Sequence, residues 1–154
     1  RMTDNSNVVL LWEINHARAV HAAGKVESRV FNEGGFKWTV MAERIGDRVK
    51  LALKCGVDHS GTWKCEADVS VLLYAKHVPK IQCEQEKRIP FNASNDLWNP
   101  RPESSWHILT HRSFNINDKV TYEFHIHIIT SECGEPVISK FTAPNSMSNV
   151  ILKI

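Results

Sequence analysis

The chain has 154 residues, of which 42% are hydrophobic and 23% charged, a size and composition typical of one globular domain. Its 19 Lys and Arg residues against 17 Asp and Glu residues leave a formal charge of +2, with no block of like charge. Proteins that bind nucleic acids or membrane surfaces usually carry concentrated positive charge, so we expect neither as a partner. No apolar run approaches the roughly 18–20 residues that a membrane-spanning helix needs.

Alternating apolar and polar residues predict half-buried β-strands along most of the chain. The segments with this pattern, or with a continuous apolar run, are 8–14, 36–40, 49–55, 63–74 and 120–128. Turn-forming residues such as Gly34-Gly35 and Gly46-Asp47 separate them. Only residues 17–23 have the composition for a turn or two of helix, ending at Gly24. Together these elements predict an all-β fold, an antiparallel β-sandwich.

The sequence holds five tryptophans, at positions 12, 38, 63, 98 and 106. The first three stand within predicted strands, which favours a place in the core. The last two stand in or beside residues 92–105, a stretch rich in Asn, Asp, Pro and Ser that predicts one long loop. Because aromatic residues in long loops are frequent binding residues, these two are candidates for a binding surface.

The four cysteines, Cys55, Cys65, Cys83 and Cys133, permit two disulfides, but we expect reduced thiols. A core of this size needs no covalent staple, no secretory segment is visible, and no pair has C-x-x-C spacing. Cys55 and Cys65 fall on consecutive predicted strands and could meet across a sheet, most simply as buried thiols. The sequon at Asn92 is expected to be unused.

No motif for catalysis, metal binding or a cofactor stands out. G-x-S-x-G, G-x-G-x-x-G and a phosphate-binding loop are absent, and the acidic residues are scattered and expected to face solvent singly. His125 and His127 share one face of a strand, and a short helix could align His107 with His111. Neither pair has a further ligand nearby, which favours exposed polar surface. We therefore expect no enzyme, no cofactor and no metal site.

Several motifs, in their order and spacing, resemble the MATH (TRAF-C-like) domain family. They are Trp12-Glu13-Ile14, Phe31 with Gly34-Gly35-Phe36-Lys37-Trp38, Leu51-Ala52-Leu53, Trp106-His107-Ile108-Leu109 with Phe114, and Asp118-Lys119-Val120-Thr121. The resemblance implies a β-sandwich of about eight strands over residues 7–131. It also implies a protein-binding role and no enzymatic activity.

Residues 132–154 resemble a linker and the first strand of a BTB domain. Ser148-Asn149-Val150-Ile151-Leu152 is similar to the opening of that strand, with Asn149 where an Asp is usual. In MATH-BTB proteins the MATH domain holds a substrate, while BTB dimerises and docks a cullin-type ubiquitin ligase. The resemblance thus implies a substrate adaptor in the cytoplasm or nucleus, with the cullin scaffold as a partner only through BTB. The chain alone is then expected to be monomeric, and the full-length protein a homodimer.

The resemblance also implies a groove that binds a short extended peptide of the substrate. The matching positions are Lys54, Ala67, Ile89, Phe91, Trp98, Glu103, Ser104, Ser105 and Trp106. Lys54 and Ala67 stand where the best-known adaptors carry aromatic rings. We therefore predict an altered specificity, in which Lys54 favours an acidic or phosphorylated residue through a charge-assisted contact.

Two other interpretations stay open. The MATH domain could serve another scaffold, such as a deubiquitinase or a trimeric signalling adaptor. Alternatively, the chain could be a secreted β-sandwich that binds a ligand, with its cysteines paired in disulfides and Asn92 glycosylated.

Overall fold

The structure, a computed structural model, describes residues 2–59, 61–78, 80–100 and 104–133. A single α-helix in this part, α1, covers Ala17–Ala23, and a short 3-10 helix covers Trp106–Leu109. The strands are β1 (Met2–Asn15), β2 (Lys25–Glu27), β3 (Phe31–Glu33), β4 (Phe36–Ile45), β5 (Arg48–Gly56), β6 (Trp63–Tyr74), β7 (Lys80–Asn92), β8 (Leu97–Trp98) and β9 (Lys119–Cys133).

The described strands form two antiparallel sheets. The four-stranded sheet has the order β1-β9-β6-β7, and the five-stranded sheet has the order β2-β4-β5-β8, with β3 also paired to β4. The first and last long strands therefore lie side by side: Leu10 is opposite Phe124. Pairing of β6 with β7 shifts register at two places, a sign of β-bulges near that edge of the sheet.

The core lies between the two sheets and follows the alternation of the strands. On β9 the inward residues are Val120, Tyr122, Phe124, Ile126 and Ile128, all at most 1% exposed. Trp12 of β1 stacks on Tyr122 with ring centroids 6.0 Å apart. Across the sandwich, Trp38 of β4 meets Phe91 of β7 edge-on at 5.7 Å. Burial of these large rings is the main source of stability in a sandwich of this kind.

The sequence predictions of fold class and core are confirmed. The chain is mostly strand, arranged as an antiparallel sandwich, and Trp12, Trp38 and Trp63 are buried. Helix α1 occupies the predicted residues and ends at Gly24, which adopts the left-handed conformation (φ 83°) and donates to the Val20 carbonyl.

The four cysteines are free thiols, as predicted. Cys55 and Cys65 are buried thiols, as expected, but they do not meet within one sheet, because β5 and β6 belong to opposite sheets. The two thiols instead interact across the core, and burial together with this contact raises the pKa of Cys55. The connection from β5 to β6 crosses from one sheet to the other. Strands that are consecutive in the chain are therefore not neighbours in one sheet.

The segment 92–105 is not one continuous loop. Leu97 and Trp98 form β8, which pairs with Lys54 and Leu53 of β5. Residues 101–103 lie outside the described residues. Of the predicted linker and BTB start, residues 132–154, only Glu132 and Cys133 are described, at the end of β9.

Candidate functional site

Lys54 lies on the outer face of the five-stranded sheet. Along β5, Val49, Leu51, Leu53 and Cys55 point into the core, which turns Lys54 outward into solvent. Its neighbours across the sheet are Thr39 of β4 and Leu97 of β8. In the described part of the chain no carboxylate forms an ion pair with Lys54. Its ammonium group is therefore available to a ligand.

Strand β8 forms an edge beside Lys54. Among the described strands it pairs with β5 only, so its other side is open. Leu97 is 41% exposed, whereas Trp98 is buried. The indole Nε1 of Trp98 donates a hydrogen bond of 2.8 Å to Glu86 of β7. This contact ties the short edge strand to the opposite sheet and holds it in place.

The far end of β5 is bordered by Ser104 and Ser105. The Val49 amide donates to the Ser104 carbonyl at 2.7 Å, and Ser105 pairs with Arg48. Ser105 then accepts a bond from the His107 amide and so caps the 3-10 helix. Arg48 and Lys54 are six positions apart on one strand, a distance of about 20 Å at the rise of a β-strand. Between these two ends the border of β5 is occupied as well, since the Asn99 amide group donates to the Leu51 carbonyl at 3.0 Å.

Trp106 lies under this end of the edge and does not reach the surface. Its side chain is 0% exposed, and its Nε1 donates to the carbonyl of His21 at 3.0 Å. His21 stacks on the same ring and contacts His107 at 3.2 Å between Nε2 and Nδ1. The 3-10 helix is therefore anchored to α1 through Trp106.

The predicted groove residues fall into two groups. Lys54 and Ser105 are exposed and Ser104 is half-buried, all along the outer edge of β5. The side chains that pack in the core are Ala67, Ile89, Phe91, Trp98 and Trp106. Glu103 lies outside the described residues. The structure brings Ala67 and Ile89 together as a cross-strand pair, but on the inner face of the four-stranded sheet. Their role in peptide binding stays a prediction.

The predicted histidine pairs occupy two separate surfaces. His125 and His127 share the outer face of β9, where His127 contacts the Asn7 side chain at 2.8 Å and His125 contacts the Glu123 carboxylate. His107 approaches His21 and lies 4.0 Å from Asp47. Across the described residues, no group of three His, Cys, Asp or Glu side chains is arranged to hold a metal ion.

Glu123 contradicts the prediction that acidic residues face solvent singly. Although it points to the outer face of the four-stranded sheet, it is 5% exposed. Its carboxylate accepts from the Tyr74 hydroxyl at 2.7 Å and the Lys80 ammonium at 3.1 Å, and also contacts His125. Burial acts to raise the pKa of Glu123, but the hydrogen bonds from Tyr74, Lys80 and His125 outweigh it and lower this pKa to about 2. Only the i, i+2 spacing of Glu123 and His125 was visible in the sequence, since Tyr74 and Lys80 belong to another hairpin.

The two-sheet fold and the order of the motifs agree with a single family profile. The family profile of the MATH domain matches residues 19–128, so the chain belongs to the MATH domain family. No curated protein matches the chain.

Among solved structures, a mutant of CBM29-2, a family 29 carbohydrate-binding module, aligns over 95% of this chain and 100% of its own. It has 12% sequence identity and a TM-score of 0.19, values too low to bear on fold or function. No helix in the described part of the chain has the length and apolarity to cross a membrane.

Proposed function

We propose that this MATH domain is a binding module, without enzymatic activity, for a short extended segment of a target protein. The observation that carries the proposal is Lys54, an exposed cation without an ion-pair partner among the described residues, beside the open edge strand β8. Membership of a family of protein-interaction domains supports the same role.

The binding mode follows from the edge. An extended peptide can add to the outer edge of β8, where main-chain hydrogen bonds supply affinity. Lys54 would bind a carboxylate or phosphate of the peptide through a charge-assisted hydrogen bond. Leu97, half-exposed beside it, would contact an apolar side chain. The preferred peptide is therefore acidic or phosphorylated at one position and apolar nearby.

The buried members of the predicted groove would act through the residues above them. Trp98 fixes β8 by its bond to Glu86, and Trp106 fixes the Ser104–Ser105 border through the 3-10 helix. They are positioning residues in this proposal. Lys54, Leu97 and Ser105 make the contacts.

We further propose that the module recruits substrates to a cullin-type ubiquitin ligase through a BTB domain, in the cytoplasm or nucleus. The likeness of residues 132–154 to a BTB linker and first strand supports this layout, as do the free thiols. The alternative is a MATH domain of another scaffold, such as a deubiquitinase or a signalling adaptor. The sequence that follows Ile154 in the parent protein distinguishes these layouts.

The secreted alternative has its own test. Mass spectrometry under non-reducing conditions should find four thiols in the isolated protein. Two disulfides would instead support a secreted β-sandwich and overturn the adaptor proposal.

The peptide proposal is tested by titrating the domain with fluorescent peptides of matched length, one acidic, one phosphorylated and one rich in serine and threonine. We expect the acidic and phosphorylated peptides to bind about tenfold more tightly, equivalent to about 1.4 kcal/mol. Lys54→Glu should remove this preference. Lys76→Glu, an exposed lysine of the β6–β7 connection, should preserve it. Equal affinity for all three peptides, or unchanged binding by Lys54→Glu, would contradict the proposal.

A further inference from the structure

Strand β1 presents an unprotected edge on the side of the molecule away from β8. In the described part of the chain it pairs only with β9, along nearly all of its 14 residues. The outer side of such a strand leaves backbone N–H and C=O groups without partners. Its sequence contains no Lys, Arg or Pro, the residues that commonly block an exposed edge.

The opposite edge of the same sheet is blocked. Strand β7 contains Pro90 and several charged residues, and Arg88 has a positive φ of 56°. Its pairing with β6 is interrupted by register shifts, which twist the edge away from a straight ladder. The contrast makes β1 the edge of this sheet that can accept another strand.

The side chains of β1 favour an apolar partner. Val9 and Leu11 lie on the outer face and are 53% and 48% exposed, whereas Leu10 between them is fully buried. A cleft of about 540 Å³ runs beside the edge, between residues 11–15 of β1 and residues 26–29 and 31 around β2 and β3. The edge therefore has both exposed apolar surface and room for a neighbouring strand.

We propose that β1 pairs with β1 of a second copy of this chain, antiparallel, to form a two-fold symmetric dimer. With Leu10 opposite Leu10 of the second copy, Val9 lies opposite Leu11 of the second copy, and Leu11 opposite its Val9. The exposed apolar side chains of both copies then cover each other on one face. Glu13 falls opposite Asn7 of the second copy, so no like charges oppose each other. The two four-stranded sheets become one continuous sheet.

Neighbouring registers are less favourable. Centring the pair on Val9 places Leu11 opposite Asn7 of the second copy, and centring it on Leu11 places Val9 opposite Glu13. In either shifted register an apolar side chain lies opposite a polar one, so fewer of the exposed apolar side chains are covered. The self-complementarity of this register identifies a second copy as the occupant. The dimer replaces the expectation of a monomeric domain and is independent of peptide binding, because β8 belongs to the other sheet.

The first test is the mass of the wild-type chain in solution by sedimentation equilibrium. We expect the average mass to rise with concentration from 17.6 kDa towards twice that value. The double variant Val9→Lys/Leu11→Lys should remain monomeric at the same concentrations, since it opposes ammonium groups across the pair. Ile45→Lys, at a side chain 52% exposed on β4, is the matched control and should dimerise like the wild type. All variants change exposed positions, and circular dichroism checks that they are folded.

A charge-complementation experiment tests the pairing itself. Mixing Val9→Lys/Leu11→Lys with Val9→Glu/Leu11→Glu should restore a dimer that neither forms alone. A wild-type chain that stays monomeric up to about 1 mM would overturn the proposal, whether the edge stays open or another segment covers it. A dimer that survives Val9→Lys/Leu11→Lys would overturn it as well.

The register is tested by cross-linking under oxidised glutathione. A mixture of Val9→Cys and Leu11→Cys chains should form a disulfide between the two kinds of chain, because opposed residues of paired strands have Cα atoms about 4.5–5.5 Å apart. Each variant alone should form far less, and peptide mapping separates these bridges from the native cysteines. No excess of cross-linking in the mixture would overturn the Leu10-centred register.

Discussion

The hydroxyl of Tyr74 donates a hydrogen bond of 2.7 Å to Glu123, a residue 49 positions further along the chain. The contact joins the end of β6 to the first half of β9, and the Lys80 ammonium at the start of β7 also donates to Glu123. The Glu123 carboxylate is almost fully buried, and its charged form is stabilised by these hydrogen-bond donors. The cluster therefore stabilises the outer face of the four-stranded sheet.

Removing the charge at Glu123 should destabilise the fold. We expect Glu123→Gln to lower the free energy of unfolding by about 1–3 kcal/mol, because the amide loses charge-assisted bonds to Tyr74 and Lys80. Urea unfolding followed by tryptophan fluorescence measures the change. Glu132→Gln is the control on the same strand, since its ion pair with Lys64 is exposed and should be worth less than about 1 kcal/mol. Equal losses for the two variants would contradict this role of Glu123.

The same cluster predicts how stability depends on pH. The pKa of Glu123 is lowered from 4.5 to about 2 in the folded state, so the folded chain holds the ionised form more strongly than the unfolded chain does. Its contribution is fully present above pH 4.5 and is lost as the pH falls towards about 2. The stability difference between wild type and Glu123→Gln should therefore shrink over this range. A constant difference from pH 7 to pH 2.5 would argue against the lowered pKa.

Tyr122 should tolerate the loss of its hydroxyl. This group is buried and has no hydrogen-bond partner among the described residues. Phenylalanine keeps the ring stacked on Trp12 and removes the cost of burying an unpaired polar group. We expect Tyr122→Phe to leave stability unchanged or raise it by up to about 1 kcal/mol in urea unfolding. Tyr74→Phe is the matched comparison and should be destabilising, since it loses the bond to Glu123.

The two glycines of the β3–β4 turn should differ in their tolerance of alanine. Both have positive φ, 64° at Gly34 and 85° at Gly35, so either substitution strains the backbone. A Cβ at Gly34 would also lie 2.9 Å from methyl groups of Ile128 and Val8, whereas nothing lies within 4 Å of one at Gly35. We expect Gly34→Ala to cost about 1–3 kcal/mol more than Gly35→Ala in thermal unfolding. Similar melting temperatures for the two variants would show that the core side chains beside Gly34 can move to accommodate a methyl group.

Trp98 provides a test of the proposed peptide edge apart from Lys54. Trp98→Phe keeps the buried ring but loses the hydrogen bond to Glu86. Peptide affinity should fall several-fold, while the preference for an acidic peptide is retained because Lys54 is intact. Glu86→Gln retains an acceptor for the indole and should bind more like the wild type. Loss of the preference in Trp98→Phe would mean that the two residues do not act separately.

The sequence alone predicted the all-β fold and the strands β1, β4, β5, β6 and β9, but it predicted no strand over Lys80–Asn92, which form β7. Alternation along β4, β6 and β9 is a local property of the chain, so it identified which side chains face inward without reference to partners. The order of short motifs likewise pointed to the MATH family, which the profile match confirms. Helix α1 and its end at Gly24 were also predicted correctly, because they depend only on residues that are close together in the chain.

Only the tertiary structure decided which strands are neighbours and what the outward residues meet. Cys55 and Cys65 are close in sequence but lie on opposite sheets, and Glu123 is buried because Tyr74 and Lys80 arrive from a different hairpin. Trp98 turned inward because β8 pairs with β5 in a register that leaves Leu97 outside. Such pairings join residues far apart in the chain, and alternation carries no information about them. The open edge of β1, like the free ammonium of Lys54, is a property of the assembled sheets.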